Sequence, residues 1–449
     1  MISSADNRRA NRLILFLLGL FSETKIFFFG CLAISEIAVF ALAPLMFLKD
    51  YRILKHDGFL AFTNMVFGLM AAMFASSVYN HTAFPFVVKS FAVMYAVFAY
   101  FIVFHRLLRN RYGDVGWFFV GVFLSSIITV FAFNPRADVS EGGFVFIANA
   151  DADTVLKEAL VWTTRVRHFA NIFTCGFYFA TPLAISVATP ILYVIVAVST
   201  TVSGRAGSIT MLMGGVLMLC GRKSRRAMRA IGRHLFIAMI VGACFLVAMK
   251  FAYQHLASTG ALGETARTKY EAQTRKGNSI MALLIAGRSE FFAGLRAALD
   301  RPIIGFGPKA EDTGGYWMRF VMKYGDETDV RRMVNAELIA ARSGVRVVIP
   351  THSHIVGGWV HYGLFGMIFY VWILYLFFSH FKRYAACIPQ LHGLFSSLIP
   401  LYLWHIFFSP FGSHWMFALL MACIFFARAI GKGRLRLPYT MELEAKKYD

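Results

Sequence analysis

Charge is what this chain has least of. Charged residues fill 15% of its 449 positions and hydrophobic ones 58%, where soluble domains carry about 25% charged residues. Acids are the scarcer sign, with 24 Asp and Glu against 45 Lys and Arg, for a net charge of +21. Cysteine is sparse too. The six are Cys31, Cys175, Cys220, Cys244, Cys387 and Cys423, and none lies in the one long polar stretch. That excludes a disulfide framework and zinc-ligand spacing, so they read as small apolar core residues. No internal repeat or low-complexity tract is visible. No cleavable leader is expected, since Arg8, Arg9 and Arg12 precede a run that meets Glu23 and Lys25 without a small-residue cleavage site.

What is abundant is apolar length. Mean hydropathy is +0.60, and several runs are long enough to cross a ~30 Å hydrocarbon core. The expected fold class is an all-α, polytopic membrane protein with about 11–12 transmembrane helices and one long helical periplasmic loop. Expected spans are Ile26–Leu48, Phe59–Val78, Phe86–Phe104, Val115–Phe133, Ile172–Ala188, Ile191–Thr201 and Gly207–Cys220. Leu235–Phe251, Ile355–Phe378, Leu394–Phe408 and His414–Ala429 follow. Leu13–Phe21 is too short for an ordinary span and fits an interfacial segment or half of a tight hairpin.

The positive charge is gathered in short loops. Arg222, Lys223, Arg225, Arg226, Arg229 and Arg233 share one, and Arg106, Arg109 and Arg111 another. Lys382 and Arg383 form a third, and Lys432, Arg434 and Arg436 mark the tail. This is the positive-inside pattern, with anionic lipid as the partner of the charge and no nucleic-acid motif beside it. It places these loops in the cytoplasm, and 134–171, the Ser203–Arg205 turn, 252–354 and 409–413 outside; of the two N-terminal arrangements, one span or two before Lys49, the one with a cytoplasmic N-terminus is preferred. Three parts follow: a transmembrane bundle over 1–251, a periplasmic cap over 252–354, and transmembrane helices with a basic tail over 355–449.

The cap, roughly 100 residues, is far longer than an ordinary connection, and ordering it costs entropy that a function must justify. Apolar spacing predicts a helix over Ser279–Leu299 and a second over Asp329–Ala341. Pro302 ends the first, and Gly305, Gly307 and Gly314–Gly315 make turns after it.

Four residues stand out for chemistry. Arg205 sits in Ser203-Gly204-Arg205, a polar turn between two short apolar segments, where a broken helix can line a substrate site. Its guanidinium, like that of Arg288, suits a bidentate grip on phosphate; each arginine alone also fits a structural, snorkelling role. His352 and His354 precede the re-entrant span in Pro350-Thr351-His352-Ser353-His354. A loop or strand end would put both on one face. An imidazole there can take a proton from a sugar hydroxyl, or it can be an interfacial anchor. No carboxylate or cysteine lies close enough in sequence to complete a metal site.

The order of these elements resembles the O-antigen ligase and polymerase superfamily. The matching elements are Ser203–Arg205, Gly287–Arg288, Pro302–Gly307, His352–His354 and Gly363–Gly366, over roughly residues 190–375. The resemblance implies an inverting glycan transfer at the periplasmic face of the inner membrane, without metal, cofactor or nucleotide sugar. The donor would be a glycan on undecaprenyl diphosphate. The acceptor would be a sugar hydroxyl on lipid A core or on a growing glycan. Arg205 and Arg288 fall on the family's diphosphate-gripping arginines, and one histidine of the pair on its essential histidine. This chain has Ile355 where the family usually has Asn, and His361 where it often has Glu. Ligase is favoured over repeat-unit polymerase. A lipid or polysaccharide transporter is the alternative from another class, with Glu36, Lys89 and Lys250 as the available intramembrane charges.

Overall fold

The computed structural model describes residues 4–22, 24–27, 31–56, 59–109, 112–131, 289–324, 347–351, 353–387 and 414–431. It also describes positions 251, 255, 256, 258, 259, 261, 330, 334, 402, 406 and 407. Among the described residues the helices, in chain order, are α1 (Ser4–Leu20), α2 (Ile34–His56), α3 (Leu60–Tyr79), α4 (Phe84–Leu108) and α5 (Val115–Phe131). Then come α6 (Ser289–Asp300), α7 (Tyr316–Tyr324), α8 (His354–Cys387) and α9 (His414–Gly431). Three stretches, Leu60–Tyr79, Phe84–Leu108 and His354–Leu376, are long and apolar enough to cross a membrane. The described part is thus that of a helical protein suited to a bilayer.

Helix α4 is the hub, buried almost continuously from Ala96 to Leu108. Its Phe101 packs tilted against Phe62 of α3 at 4.4 Å between ring centres, and meets Phe425 of α9 at 5.8 Å. Phe62 in turn faces Trp372 of α8 at 6.5 Å. Between helices in lipid, where tails are as apolar as leucine, such shape-matched rings supply dispersion that the hydrophobic effect does not. Helices α1 and α5 approach still more closely. A Cβ on Gly19 would run into the Phe118 carbonyl, and one on Gly121 into that of Phe16. Arg12 of α1 pairs with Asp114, just before α5, at 2.8 Å. These contacts make α1 and α5 run in the same direction, so Leu13–Phe21 forms the end of a helix packed on α5.

The expected span Ile26–Leu48 starts differently. Residues Lys25–Phe27 and Cys31–Ala33 pair as a short antiparallel hairpin, and α2 begins only at Ile34. Glu36 explains the boundary: its Oε2 accepts the Ala33 backbone N–H at 2.9 Å, half of a capping box. Glu36 therefore secures a helix start.

At the C-terminal end of α4, Arg106 pairs with Asp50 of α2 at 2.9 Å. At its N-terminal end, the 80–83 turn from α3 meets the cap. The basic loop and the cap thus occupy opposite ends of a 25-residue helix.

The described cap is a small folded unit. Phe292 of α6 stacks on Phe320 of α7 at 5.8 Å, over the buried Ala293, Trp317 and Val321. Asp312 anchors α7 by accepting the Tyr316 and Trp317 N–H groups at 2.7 and 2.9 Å. Helix α6 ends at Asp300, two residues before Pro302, as expected; the part of Ser279–Leu299 before Ser289 lies outside the described residues. Of Asp329–Ala341 only Val330 and Val334 are described, both helical, while α7 is a helix that apolar spacing had not singled out.

Candidate functional site

The expected single span Ile355–Phe378 is not straight. Gly363 takes φ 66° and ψ −156°, a backbone conformation open almost only to glycine. The chain doubles back there. A Cβ on Gly358 would lie 2.9 Å from the Gly366 carbonyl oxygen, although eight residues of straight helix span about 12 Å. The His354 ring stacks on Tyr370 at 5.2 Å and 21°, where sixteen straight residues would separate them by about 24 Å. A short half-helix, 354–362, therefore leans on the longer segment from Leu364 onward. Small Gly358 and Gly366 allow the close approach.

A sharp break frees backbone groups, which in a bilayer must find partners or cost several kcal/mol each. The Pro302–Gly307 turn supplies them. Phe306 N–H donates to the Val360 carbonyl at 2.7 Å, Gly307 N–H to that of His361 at 3.0 Å, and Leu364 N–H to that of Ile303 at 3.2 Å. Ser76, near the end of α3, adds its hydroxyl to the His361 carbonyl at 2.8 Å. Asn80 donates to the Gly305 carbonyl at 3.1 Å and accepts from Arg301 at 2.8 Å. Trp359 Nε1 donates to the Pro302 carbonyl at 3.0 Å. The two glycine-rich phrases of the sequence are thus one joint, between a cap turn and a helix break.

Gly363→Ala is expected to destabilise the protein more than Gly315→Ala. Both glycines have positive φ, which costs alanine about 1–2 kcal/mol. A Cβ at Gly363 would also overlap the Ile303 carbonyl, whereas nothing lies within 4 Å of one at Gly315. Thermal unfolding and limited proteolysis of the cap measure the difference; equal midpoints for the two variants contradict the joint.

His361 sits inside the joint. The Gly307 carbonyl can only accept, so the 3.0 Å contact puts a proton on His361 Nδ1 and leaves Nε2 to accept. Nε2 lies 3.5 Å from the Thr351 hydroxyl, at the long limit of a hydrogen bond. The residue standing where the resembled family often has Glu therefore ties the cap turn to the strand that leads into His354.

For His354 the structure differs from the loop or strand end expected. His354 is the first residue of α8 and His352 lies outside the described residues. The reason is Ser353. Its buried hydroxyl accepts the Val356 N–H at 3.2 Å and donates to the Ile406 carbonyl at 2.8 Å, which makes it a helix N-cap. Serine before an apolar helical run is a start signal legible in sequence. Arg205 and Arg288 also lie outside the described residues; α6 begins at Ser289. It packs through Ala297 and Ala298 on Val356 and Val360 of the half-helix. Segment 310–312 pairs with 347–349, with Asp312 N–H donating to the Val347 carbonyl at 2.9 Å and Ile349 N–H to that of Ala310 at 3.0 Å. The cap's return strand is held there, three residues before His352.

No family model and no curated protein matches this chain.

Proposed function

We propose that this protein is a polytopic inner-membrane enzyme of about 11–12 spans. It moves a glycan from undecaprenyl diphosphate to a sugar hydroxyl at the periplasmic face, in the manner of the O-antigen ligases. The observation that supports this reading most is the placement of His354. It opens a half-helix that re-enters an apolar bundle beneath a folded polar cap. Half-helix starts of this kind carry partial positive charge and suit anionic substrates at membrane depth.

The chemistry balances without a metal. The acceptor oxygen attacks the anomeric carbon as its bond to the diphosphate oxygen breaks, inverting that centre. His354 takes the hydroxyl proton. Arg205 and Arg288 neutralise the leaving diphosphate, so that positioned guanidinium groups supply the charge stabilisation. The glycolipid profile of cells with and without the gene tests this. Lipid-linked polymer beside uncapped lipid A core on deletion marks a ligase, and single capped repeats a polymerase. An unchanged profile overturns both.

The sidedness has its own test. Lys323 is exposed on the last turn of α7. Lys323→Cys should react with a membrane-impermeant thiol reagent in intact cells whose outer membrane is permeable. Labelling only after inner-membrane lysis would put the cap in the cytoplasm and reverse the proposed topology.

A further inference from the structure

Three cations gather where the cap turn meets the α3–α4 turn, and the proposed transfer uses none of them. Arg301 is exposed; it is bonded to Asn80 and lies over the Phe306 ring at 4.7 Å. Lys309 follows the pinned Gly307 with a φ of 54°, a conformation lysine adopts only at a cost. Lys89 is exposed near the start of α4. Burial first, then the Lys89 ammonium, lowers Lys309 from its ordinary value. Among the described residues no carboxylate pairs with any of the three. Asp300 and Asp312 lie near Arg301 around Tyr316 without pairing with it, while at Lys309 the charge that acts is Lys89; like charges held together are unfavourable, and an anion relieves them.

The surface that continues from this cluster is apolar. Ile303 is 74% exposed, and its carbonyl holds the Leu364 N–H. Leu364, Ile368 and Val371 then follow on one exposed face of α8, at i, i+4 and i+7. Exposed apolar side chains on a bilayer helix face lipid by default. The cations at the top of the strip specify what kind.

From this arrangement we infer that Lys89, Arg301 and Lys309 hold the headgroup of a phospholipid of net negative charge on the cap side of the bilayer, its chains lying along Ile303 and the Leu364–Val371 face. The site uses residues distinct from Arg205, Arg288 and His354, and stands whether or not the chain transfers glycans. It would seat the cap turn against the headgroup layer and brace the joint at Gly363.

Binding of fluorescent phosphatidylglycerol and phosphatidylcholine to the full-length protein in neutral detergent tests it. Phosphatidylglycerol should bind tighter, and Lys89→Gln and Lys309→Gln should each weaken it about five-fold. Added salt should weaken it further. Lys323→Gln, a cation outside the cluster, should change nothing. Equal affinity for the two lipids, unchanged binding by both lysine variants, or an equal loss with Lys323→Gln overturns the site. Displacement by millimolar inorganic phosphate also overturns it, since the cations would then read a soluble anion.

Discussion

Replacing Arg205 or Arg288 by alanine should reduce glycan transfer to a trace while the protein remains in the membrane. A polyprenyl diphosphate leaves with its negative charge increasing, and each donor aimed at such charge is worth about 10²–10³-fold in rate. The two act on one group, so the double variant should lose less than the product of the single losses. Lysine at either position keeps the charge but not the planar fork that grips two oxygens at once, and should restore little. Transfer is read as capped lipid A core by gel, against membrane abundance by immunoblot. Near-normal transfer by both lysine variants would reject the bidentate grip; normal transfer by both alanine variants would remove the diphosphate reading.

His354→Gln should be as inactive as His354→Ala. The acceptor hydroxyl is neutral, and its proton must leave as the new glycosidic bond forms. General-base help with such a step is typically worth about 10²–10⁴-fold, or roughly 3–5 kcal/mol. Glutamine keeps hydrogen-bonding reach but takes no proton. The stack on Tyr370 gives a control for a merely structural role. Tyr370→Phe keeps a ring beneath the imidazole and should keep most activity. Wild-type rates from His354→Gln would show that the residue only positions the acceptor, and His352 and His361 would be tested next. His352→Ala is expected to lose less than His354→Ala.

Local chemistry carried much of the fold into the sequence. The expected spans Phe59–Val78 and Phe86–Phe104 correspond to α3 and α4 within a few residues. Pro302 stops α6, and Gly305, Gly307 and Gly315 take the positive φ their turns require. Each of these follows from a residue acting on its own backbone: apolar length, a missing N–H, a missing Cβ. Helix α7 carries such a signal too, but one too short to single it out. Trp317, Phe320, Val321 and Tyr324 repeat at i, i+3, i+4 and i+7, although nine residues make a short signal.

The site was legible only as an order of phrases. His361 stands out in the sequence only as a departure from the pattern of the resembled family, and nothing local marks it as the residue that fastens the cap. Asn80 and Ser76 carried no signal at all, because their partners lie 225 and 285 residues away. The fold-back at Gly363 was hidden for a related reason. By apolar length, 354–376 is an unbroken span, and a glycine within it is compatible with a straight helix.

The sequence by itself determined that this is a helical, bilayer-suited chain with one long polar excursion, because apolar run length and loop charge are properties of contiguous residues. The tertiary structure decided that the excursion's Pro302–Gly307 turn plugs the break at Gly363, and that His354 opens a half-helix. A helix breaks where outside partners can satisfy the backbone groups it frees, and those partners come from segments distant in the chain.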